Sequence, residues 1–303
     1  MGDAVVTTYT AAQTIDDAIA ALANGARAVA GGTDLVVGAR QGKAPLPDSI
    51  VAIHRLAELR GIDEDGDTLR IAALTTHEEI AEHPLAVERL TALADASAIV
   101  GSHATRAQGT IGGNVMNASP AMEIGGPLMC LGAHVTLRSQ NGERSIAVAD
   151  LFTGPGRTGA EPGELLTSVS VPLPPAATGS CYARLEYRQQ MEIAVVGATA
   201  VVTLDGGRVS AAKVAITALA PTIRLVPAAE DALVGSDGGR AAAEAAAQAA
   251  SSASAPISDV RASDEYRRAM ASVLTRRAIE AAVARARGTS IPVPASRYLH
   301  AAG

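Results

Sequence analysis

Two pairs of adjacent glycines are the residues of this chain whose types and spacing best suit chemistry. The first pair lies in Val29-Ala-Gly-Gly-Thr-Asp-Leu35 and the second in Thr110-Ile-Gly-Gly-Asn114. Adjacent glycines let a backbone turn present several N–H groups to one point without an obstructing Cβ. Such a turn binds phosphate groups, so the two loops together predict a dinucleotide diphosphate held between two subdomains.

Polar side chains beside both loops support this prediction. The hydroxyls of Thr33 and Thr110 are possible donors, and Asn114 has groups for a phosphate or for the loop carbonyls. For either glycine pair alone, a tight turn that requires positive φ is the simpler interpretation. The Rossmann pattern Gly-x-Gly-x-x-Gly is absent around both pairs. Gly38-Ala-Arg-Gln-Gly-Lys-Ala44 lacks the spacing and the hydroxyl residue of a P-loop, which argues against a nucleotide hydrolase.

The composition excludes several other functions. The net charge of −6 provides no basic field for nucleic acid, and no apolar run has the length of a membrane span. No secretory signal pattern opens the sequence, so we expect a cytoplasmic protein. The six histidines show no metal-ligand spacing, and we expect Cys130 and Cys181 to be buried free thiols.

The pattern around the first loop predicts a βαβ-like subdomain over residues 1–55. Thr14 can cap a helix that ends at Asn24, and a short strand over 27–30 runs into the first glycine pair. A helical piece over 35–40 and a strand over 49–53 complete the unit.

Residues 56–175 are expected to form a second subdomain. A hairpin spans 61–73, and Thr76 with Glu79 has the capping-box spacing of a helix start. One helix is predicted over 85–99, and a polar loop over 101–110 then delivers the second glycine pair.

The prolines at 172, 174 and 175 predict the boundary of a third, α+β domain over 176–288. Its expected elements are three strands, followed by two helices over 241–250 and 266–287. The strands are predicted at 182–188, 194–204 and 208–219, and residues 289–303 are expected to be a tail.

In combination, these motifs resemble the FAD-binding medium subunit of molybdenum hydroxylases, the family of xanthine dehydrogenase and aerobic carbon monoxide dehydrogenase. The resemblance covers nearly the whole chain. The residues that carry it are Ala30-Gly-Gly-Thr-Asp-Leu35, Thr110-Ile-Gly-Gly-Asn114, Asn117-Ala-Ser-Pro-Ala121, Glu164-Leu-Leu-Thr167 before Val171-Pro172, Glu192-Ile-Ala-Val-Val196, Tyr266-Arg-Arg268 and Val273-Leu-Thr-Arg-Arg277.

The resemblance implies an α+β fold: a two-subdomain FAD-binding part of the vanillyl-alcohol oxidase type, followed by a C-terminal domain with a three-stranded sheet and helices. It also implies that both glycine loops wrap the FAD diphosphate and that residues farther along the chain approach the flavin. The implied FAD-binding residues are Ala28, Val29, Ala30, Gly31, Gly32, Thr33, Asp34, Leu35, Val100, Thr110, Ile111, Gly112, Gly113, Asn114, Glu123, Leu166 and Arg184.

Some positions depart from the family pattern or have more than one interpretation. Glu123 and Glu192 stand where the family usually has Asp. Tyr182 and Tyr187 are candidates to cover the isoalloxazine ring, or are ordinary core or surface tyrosines. Arg106 contacts either a phosphate or a partner subunit.

No nucleophile–base pair or molybdenum site is visible in the chain, and the resemblance implies that its function is electron transfer. In the family, a large subunit holds the molybdopterin-type cofactor and hydroxylates the substrate. A small subunit with two [2Fe–2S] clusters passes the electrons to FAD, which reduces NAD⁺, oxygen, a quinone or another acceptor. A dimer of heterotrimers is therefore expected. The alternatives are a stand-alone flavoprotein oxidoreductase of the same fold, for example one similar to UDP-N-acetylmuramate reductase, and a non-enzymatic scaffold.

Overall fold

The first of three successive units is a small parallel βαβ arrangement. The computed structural model describes residues 8–42, 44–188 and 190–301. The elements of the first unit are β1 (Thr8–Ala11), α1 (Ile15–Ala23), β2 (Arg27–Val29), α2 (Leu35–Arg40) and β3 (Ser49–Ala52). The strand order is β1-β3-β2, with β3 parallel to both neighbours.

The helix predicted after Thr14 is confirmed in detail. Thr14 Oγ1 accepts a hydrogen bond from Asp17 N at 3.1 Å, and the Asp17 carboxylate accepts one from Thr14 N at 3.0 Å. This reciprocal capping box satisfies donors that the first turn of a helix leaves free. The edge strand β1 was not predicted, because all four of its residues are exposed and show no apolar alternation.

An antiparallel five-stranded sheet forms the second unit. The strands follow the order β4-β5-β10-β6-β7, and a two-stranded ribbon (β8, β9) accompanies them. They are β4 (Ile62–Asp65), β5 (Thr68–Ala72), β6 (His134–Ser139), β7 (Gly142–Ala147), β8 (Phe152–Gly154), β9 (Arg157–Thr158) and β10 (Leu165–Pro172). The helices are α3 (His77–Glu82), α4 (Pro84–Arg89), α5 (Thr91–Ser97), α6 (His103–Arg106), α7 (Ile111–Asn117), α8 (Gly125–Cys130) and α9 (Val148–Leu151).

The prediction of one helix over 85–99 was wrong. The chain bends at Leu90, which has φ −116° and ψ 42°, and α4 and α5 lie on either side of the bend. Residues 92–97 are all buried, so α5 has no solvent-facing side and its sequence does not continue the amphipathic pattern of α4. The loop predicted over 101–110 also contains a short helix, α6.

The third unit is an antiparallel sheet covered by helices. Its strands are β11 (Thr178–Leu185), β12 (Val196–Asp205), β13 (Arg208–Thr217) and β14 (Arg224–Leu225), in that order. Its helices are α10 (Pro227–Leu233), α11 (Arg240–Ala253), α12 (Asp264–Ala286) and α13 (Ala295–Ala301). The three predicted strands and two predicted helices are present, and the two-residue β14 is too short to leave a sequence pattern.

A buried ion pair joins the second unit to the third. Arg285 Nη1 on α12 lies 2.6 Å from Asp95 Oδ2 on α5, and the Asp95 side chain is completely buried. Asp95 also accepts a hydrogen bond from Ala295 N at 2.8 Å. Residues 289–303, expected as a tail, therefore include a helix whose start is anchored in the interior.

Cys130 and Cys181 are both buried and free. Among the described residues, no helix is both long enough and apolar enough to cross a membrane.

Candidate functional site

The first glycine loop, Ala30–Asp34, leaves the carboxyl end of β2. Gly32 has φ +68°, a conformation that favours glycine, and its carbonyl accepts a hydrogen bond from Val36 N at 3.0 Å. The N–H groups of Gly31, Gly32 and Thr33 donate to no acceptor within residues 8–42, 44–188 and 190–301. Three consecutive free N–H groups form a concavity suited to an anion.

Gly31 is a glycine for a different reason. A Cβ at this position would overlap the carbonyl oxygen of Gln108 and lie 2.7 Å from its carbonyl carbon. A Cβ at Gly109 would in turn lie 2.9 Å from the carbonyl oxygen of Thr105. The first glycine loop therefore packs backbone against backbone on the segment that precedes Thr110.

The second glycine loop, Thr110–Asn114, is the start of α7 rather than a free turn. Thr110 Oγ1 accepts from Gly113 N at 3.1 Å, and Thr110 O accepts from Asn114 N at 2.9 Å. Ile111 N donates to Thr75 O and Gly112 N to Ala73 O, each at 2.9 Å. All four N–H groups therefore have partners inside the protein, and the prediction that this loop contacts the FAD diphosphate stays a prediction.

A cleft of about 320 Å³ lies where the two loops meet. This volume is in the range of small-molecule sites, about 300–1,000 Å³. Of the predicted residues, Ala30, Gly31 and Thr110 line it. No sequence motif indicated the other lining residues, which are His54, Arg60, Leu74, Thr76, Ala107 and Gln108.

One signal could have located part of this missing set. Parallel strands end at the same edge of a sheet, and ligands bind outside the carboxyl ends of such strands. β2 leads into Gly31 and β3 leads into His54, so both segments had to lie beside the same cleft.

The other predicted residues lie in the first loop's flanks or outside the cleft lining. Ala28 and Val29 belong to β2, while Asp34 and Leu35 begin α2. Thr33, Gly113 and Asn114 retain exposed surface. Apart from Thr110, which lines the cleft, the buried members of the predicted set are Val100, Ile111, Gly112, Glu123, Leu166 and Arg184.

Arg184 and Glu123, both expected near the flavin, pair with each other. Arg184 Nη1 lies 2.7 Å from Glu123 Oε1 and donates to Ile99 O at 3.0 Å, while Nη2 pairs with Glu186. The Arg184 side chain has no exposed surface. The guanidinium of Arg184, which belongs to the third unit, therefore holds the segment before Gly101 in the second unit in place.

Arg106 supports the next carbonyl in the same way. Its Nη1 donates to Val100 O at 3.1 Å, and its Nη2 lies 3.0 Å from His103 Nδ1.

Burial, together with the positive charge of Arg106, lowers the pKa of the enclosed His77 ring to about 4. His77 is consequently neutral near pH 7.

The two candidate tyrosines have different surroundings. Tyr182 is fully buried, and its hydroxyl lies against Gly197, where a Cβ would be 2.7 Å away. Tyr182 is therefore a core residue, as the simpler interpretation held. Tyr187 is 62% exposed, and its hydroxyl donates to the carbonyl of Arg261.

Two family models match the sequence. Residues 5–174 match the FAD-binding domain of molybdopterin dehydrogenases, and residues 181–282 match the C-terminal domain of carbon monoxide dehydrogenase flavoproteins. The matched ranges correspond to the first two units and to most of the third.

Individual relatives agree with these matches. The carbon monoxide dehydrogenase medium chain of Afipia carboxidovorans is 34% identical over 282 residues, which cover 92% of this chain and 97% of the relative. The xanthine dehydrogenase FAD-binding subunit of Escherichia coli O157:H7 is 32% identical over 285 residues, covering 92% and 97%.

A solved structure extends the agreement to the fold. It is a carbon monoxide dehydrogenase from Hydrogenophaga pseudoflava that lacks the Mo-pyranopterin moiety of its cofactor. It aligns with a TM-score of 0.89 at 33% identity and covers 93% of this chain and 98% of that chain. The predicted α+β fold, with an FAD-binding part and a C-terminal domain, is confirmed. This chain belongs to the family of FAD-binding medium subunits of molybdenum hydroxylases, the group of carbon monoxide dehydrogenase and xanthine dehydrogenase.

Proposed function

We propose that this chain holds FAD in the cleft between its first two units and uses it to pass electrons within a molybdenum hydroxylase complex. The observation that carries the proposal is the row of free N–H groups at Gly31, Gly32 and Thr33, next to the cleft. Dipoles of this kind offset the negative charge of a diphosphate without a charged side chain.

The residues present fit FAD. The diphosphate lies along the first glycine loop, where the N–H groups of Gly31, Gly32 and Thr33 are free to donate to it. The Thr110 hydroxyl accepts from Gly113 N, so its proton is still free to be donated toward the cleft. The predicted contacts at 28–35 and at Thr110–Asn114 remain part of the proposal, and the side chains of Ile111 and Arg184 have no exposed surface.

FAD, when bound, exchanges electrons with one-electron and two-electron partners. The chain's own contribution is to bind and orient the cofactor. Its buried guanidiniums, Arg106 and Arg184, hold the backbone at Val100 and Ile99 in place.

The names of relatives support the proposed partners. Similar chains are called the medium chain of carbon monoxide dehydrogenase and a subunit of the 6-hydroxypseudooxynicotine dehydrogenase complex of Paenarthrobacter nicotinovorans. We propose a large molybdenum-cofactor subunit and a small subunit with two [2Fe–2S] clusters as partners, in a cytoplasmic dimer of heterotrimers. NAD⁺, oxygen, a quinone or another acceptor takes the electrons from FAD.

Purification of the tagged chain at its native expression level tests this proposal. We expect a yellow complex with one FAD per chain, together with molybdenum and iron in two further subunits. A yellow chain that never brings down an iron–sulfur or molybdenum subunit would instead support the stand-alone flavoprotein. A colourless chain that takes up no added FAD would overturn both.

A further inference from the structure

Arg60 carries the only permanent positive charge among the described residues that line the cleft. It was not singled out in the sequence, because it belongs to no motif. Its guanidinium has no carboxylate partner within the residues that the structure describes. A cation that faces a cleft without a counter-charge is suited to an anionic ligand.

The position of Arg60 is set by the turn before it. The 3₁₀ turn Ala57–Leu59 is anchored by Leu56 and Leu59, which are 2% and 1% exposed. Arg60 N donates to Ala57 O at 3.1 Å, and Arg60 Nη2 donates to His54 O at 2.8 Å. These bonds hold the guanidinium at the carboxyl end of β3, beside the end of β2.

Arg60 and the first glycine loop therefore line the same cleft. The loop supplies N–H dipoles but no full charge, whereas a diphosphate carries more than one negative charge. The second glycine loop adds no full charge either, and its N–H groups at 111–114 are bonded internally. An arginine fork donates two parallel hydrogen bonds to phosphate oxygens and adds the charge.

We propose that Arg60 binds the FAD diphosphate in the cleft that it lines together with the first glycine loop. The inference rests on the proposed FAD cleft and adds a charged side chain to the N–H groups of that loop. The bond to the His54 carbonyl uses Nη2 and leaves Nη1 and Nε for phosphate oxygens.

The test uses the whole complex, freed of FAD and titrated again with FAD, with binding followed by flavin fluorescence. A charge-assisted hydrogen bond contributes about 1.5–3 kcal/mol, so Arg60→Gln should raise the Kd for FAD by about 10–150-fold. Arg60→Lys keeps the charge without the fork and should fall between Arg60→Gln and wild type.

Arg208→Gln is the matched control. Arg208 is also exposed and also donates to a backbone carbonyl, that of Gly235 at 2.7 Å, but it lies in the third unit. Its substitution should leave the Kd for FAD unchanged. The melting temperatures of both variants should equal that of wild type, which shows that folding is intact.

Competition by ADP identifies the part of FAD that Arg60 contacts. ADP contains the diphosphate without the flavin, so Arg60→Gln should weaken ADP competition by the same factor as FAD binding. An unchanged FAD Kd, or a weakened FAD Kd with unchanged ADP competition, would overturn the assignment of Arg60. If the wild-type complex itself bound no FAD, the proposed function would fail instead.

Discussion

The peptide carbonyl of Gln108 occupies the space that a Cβ on Gly31 would need. An ideal Cβ there would overlap the oxygen and lie 2.7 Å from the carbon. Both residues line the cleft, so the absence of a side chain at 31 sets how closely the two cleft walls approach.

Gly31→Ala should consequently open the cleft and release FAD. The added methyl meets backbone rather than a flexible side chain, so the walls must separate, at a cost of about 1–3 kcal/mol. Gly38→Ala is the control, because Gly38 lies in α2 with no heavy atom within 4 Å of its Cβ position. FAD per chain should fall in Gly31→Ala only. Equal FAD content in the two variants would show that the contact is unimportant for binding.

The two glycine pairs should respond differently to alanine. Gly32 has φ +68°, so Gly32→Ala strains the backbone and should reduce FAD content. Gly113 lies in the first turn of α7 without positive φ, and a Cβ there meets only Thr110 Oγ1 at 3.0 Å. Gly113→Ala should keep most of its FAD. FAD content of the purified chains, measured by absorbance, checks this, and the reverse order would restore the second loop as the main phosphate cradle.

The difference between the two glycine loops shows which features the sequence could predict. The cap at Thr14 and the capping box of Thr76 with Glu79 are local, and both were recognised from the sequence alone. The N–H groups of the second glycine loop looked equally available. They are not. Thr110 accepts locally from the N–H groups of Gly113 and Asn114, and the carbonyls of Ala73 and Thr75 reach the other two only after β5 has packed beside α7.

Arg60 was missed, and Tyr182 was left with two interpretations, for related reasons. Arg60 reaches the cleft through the strand order β1-β3-β2, which places its partner His54 beside the first glycine loop. Tyr182 is buried because it lies on the sheet face that packs against the second unit, where its partner on β12 is Thr199. Neither relation can be read from spacing along the chain.

Loss of Arg184 should destabilise the protein more than loss of Glu123. Arg184 pairs with both Glu123 and Glu186, so Arg184→Gln leaves two buried carboxylates without a cation. Breaking a buried pair in this way costs about 3–5 kcal/mol. Glu123→Gln leaves the Arg184–Glu186 pair intact and should cost less.

Urea unfolding of the holo-protein measures both effects. We expect FAD content to follow stability in the two variants, because Arg184 has no surface that a ligand can reach. If Arg184→Lys were as stable as wild type but bound FAD much more weakly, Arg184 would instead be a direct flavin contact.

Acid should destabilise the protein through His77. This ring is 1% exposed, and its pKa in the folded protein is about 4, below the ordinary value of 6.5. Between these values the unfolded chain binds more protons, so stability falls as the pH decreases from about 6.5 toward 4. The contribution of this one residue to the free energy of unfolding between pH 7 and pH 5 is about 2 kcal/mol.

The variant His77→Gln cannot become charged at this position, so it should lose about 2 kcal/mol less stability than wild type over this pH interval in urea unfolding. The exposed His134, replaced by Gln, is the control and should behave as wild type. If His77→Gln kept the pH dependence of wild type, His77 would not be the group that titrates.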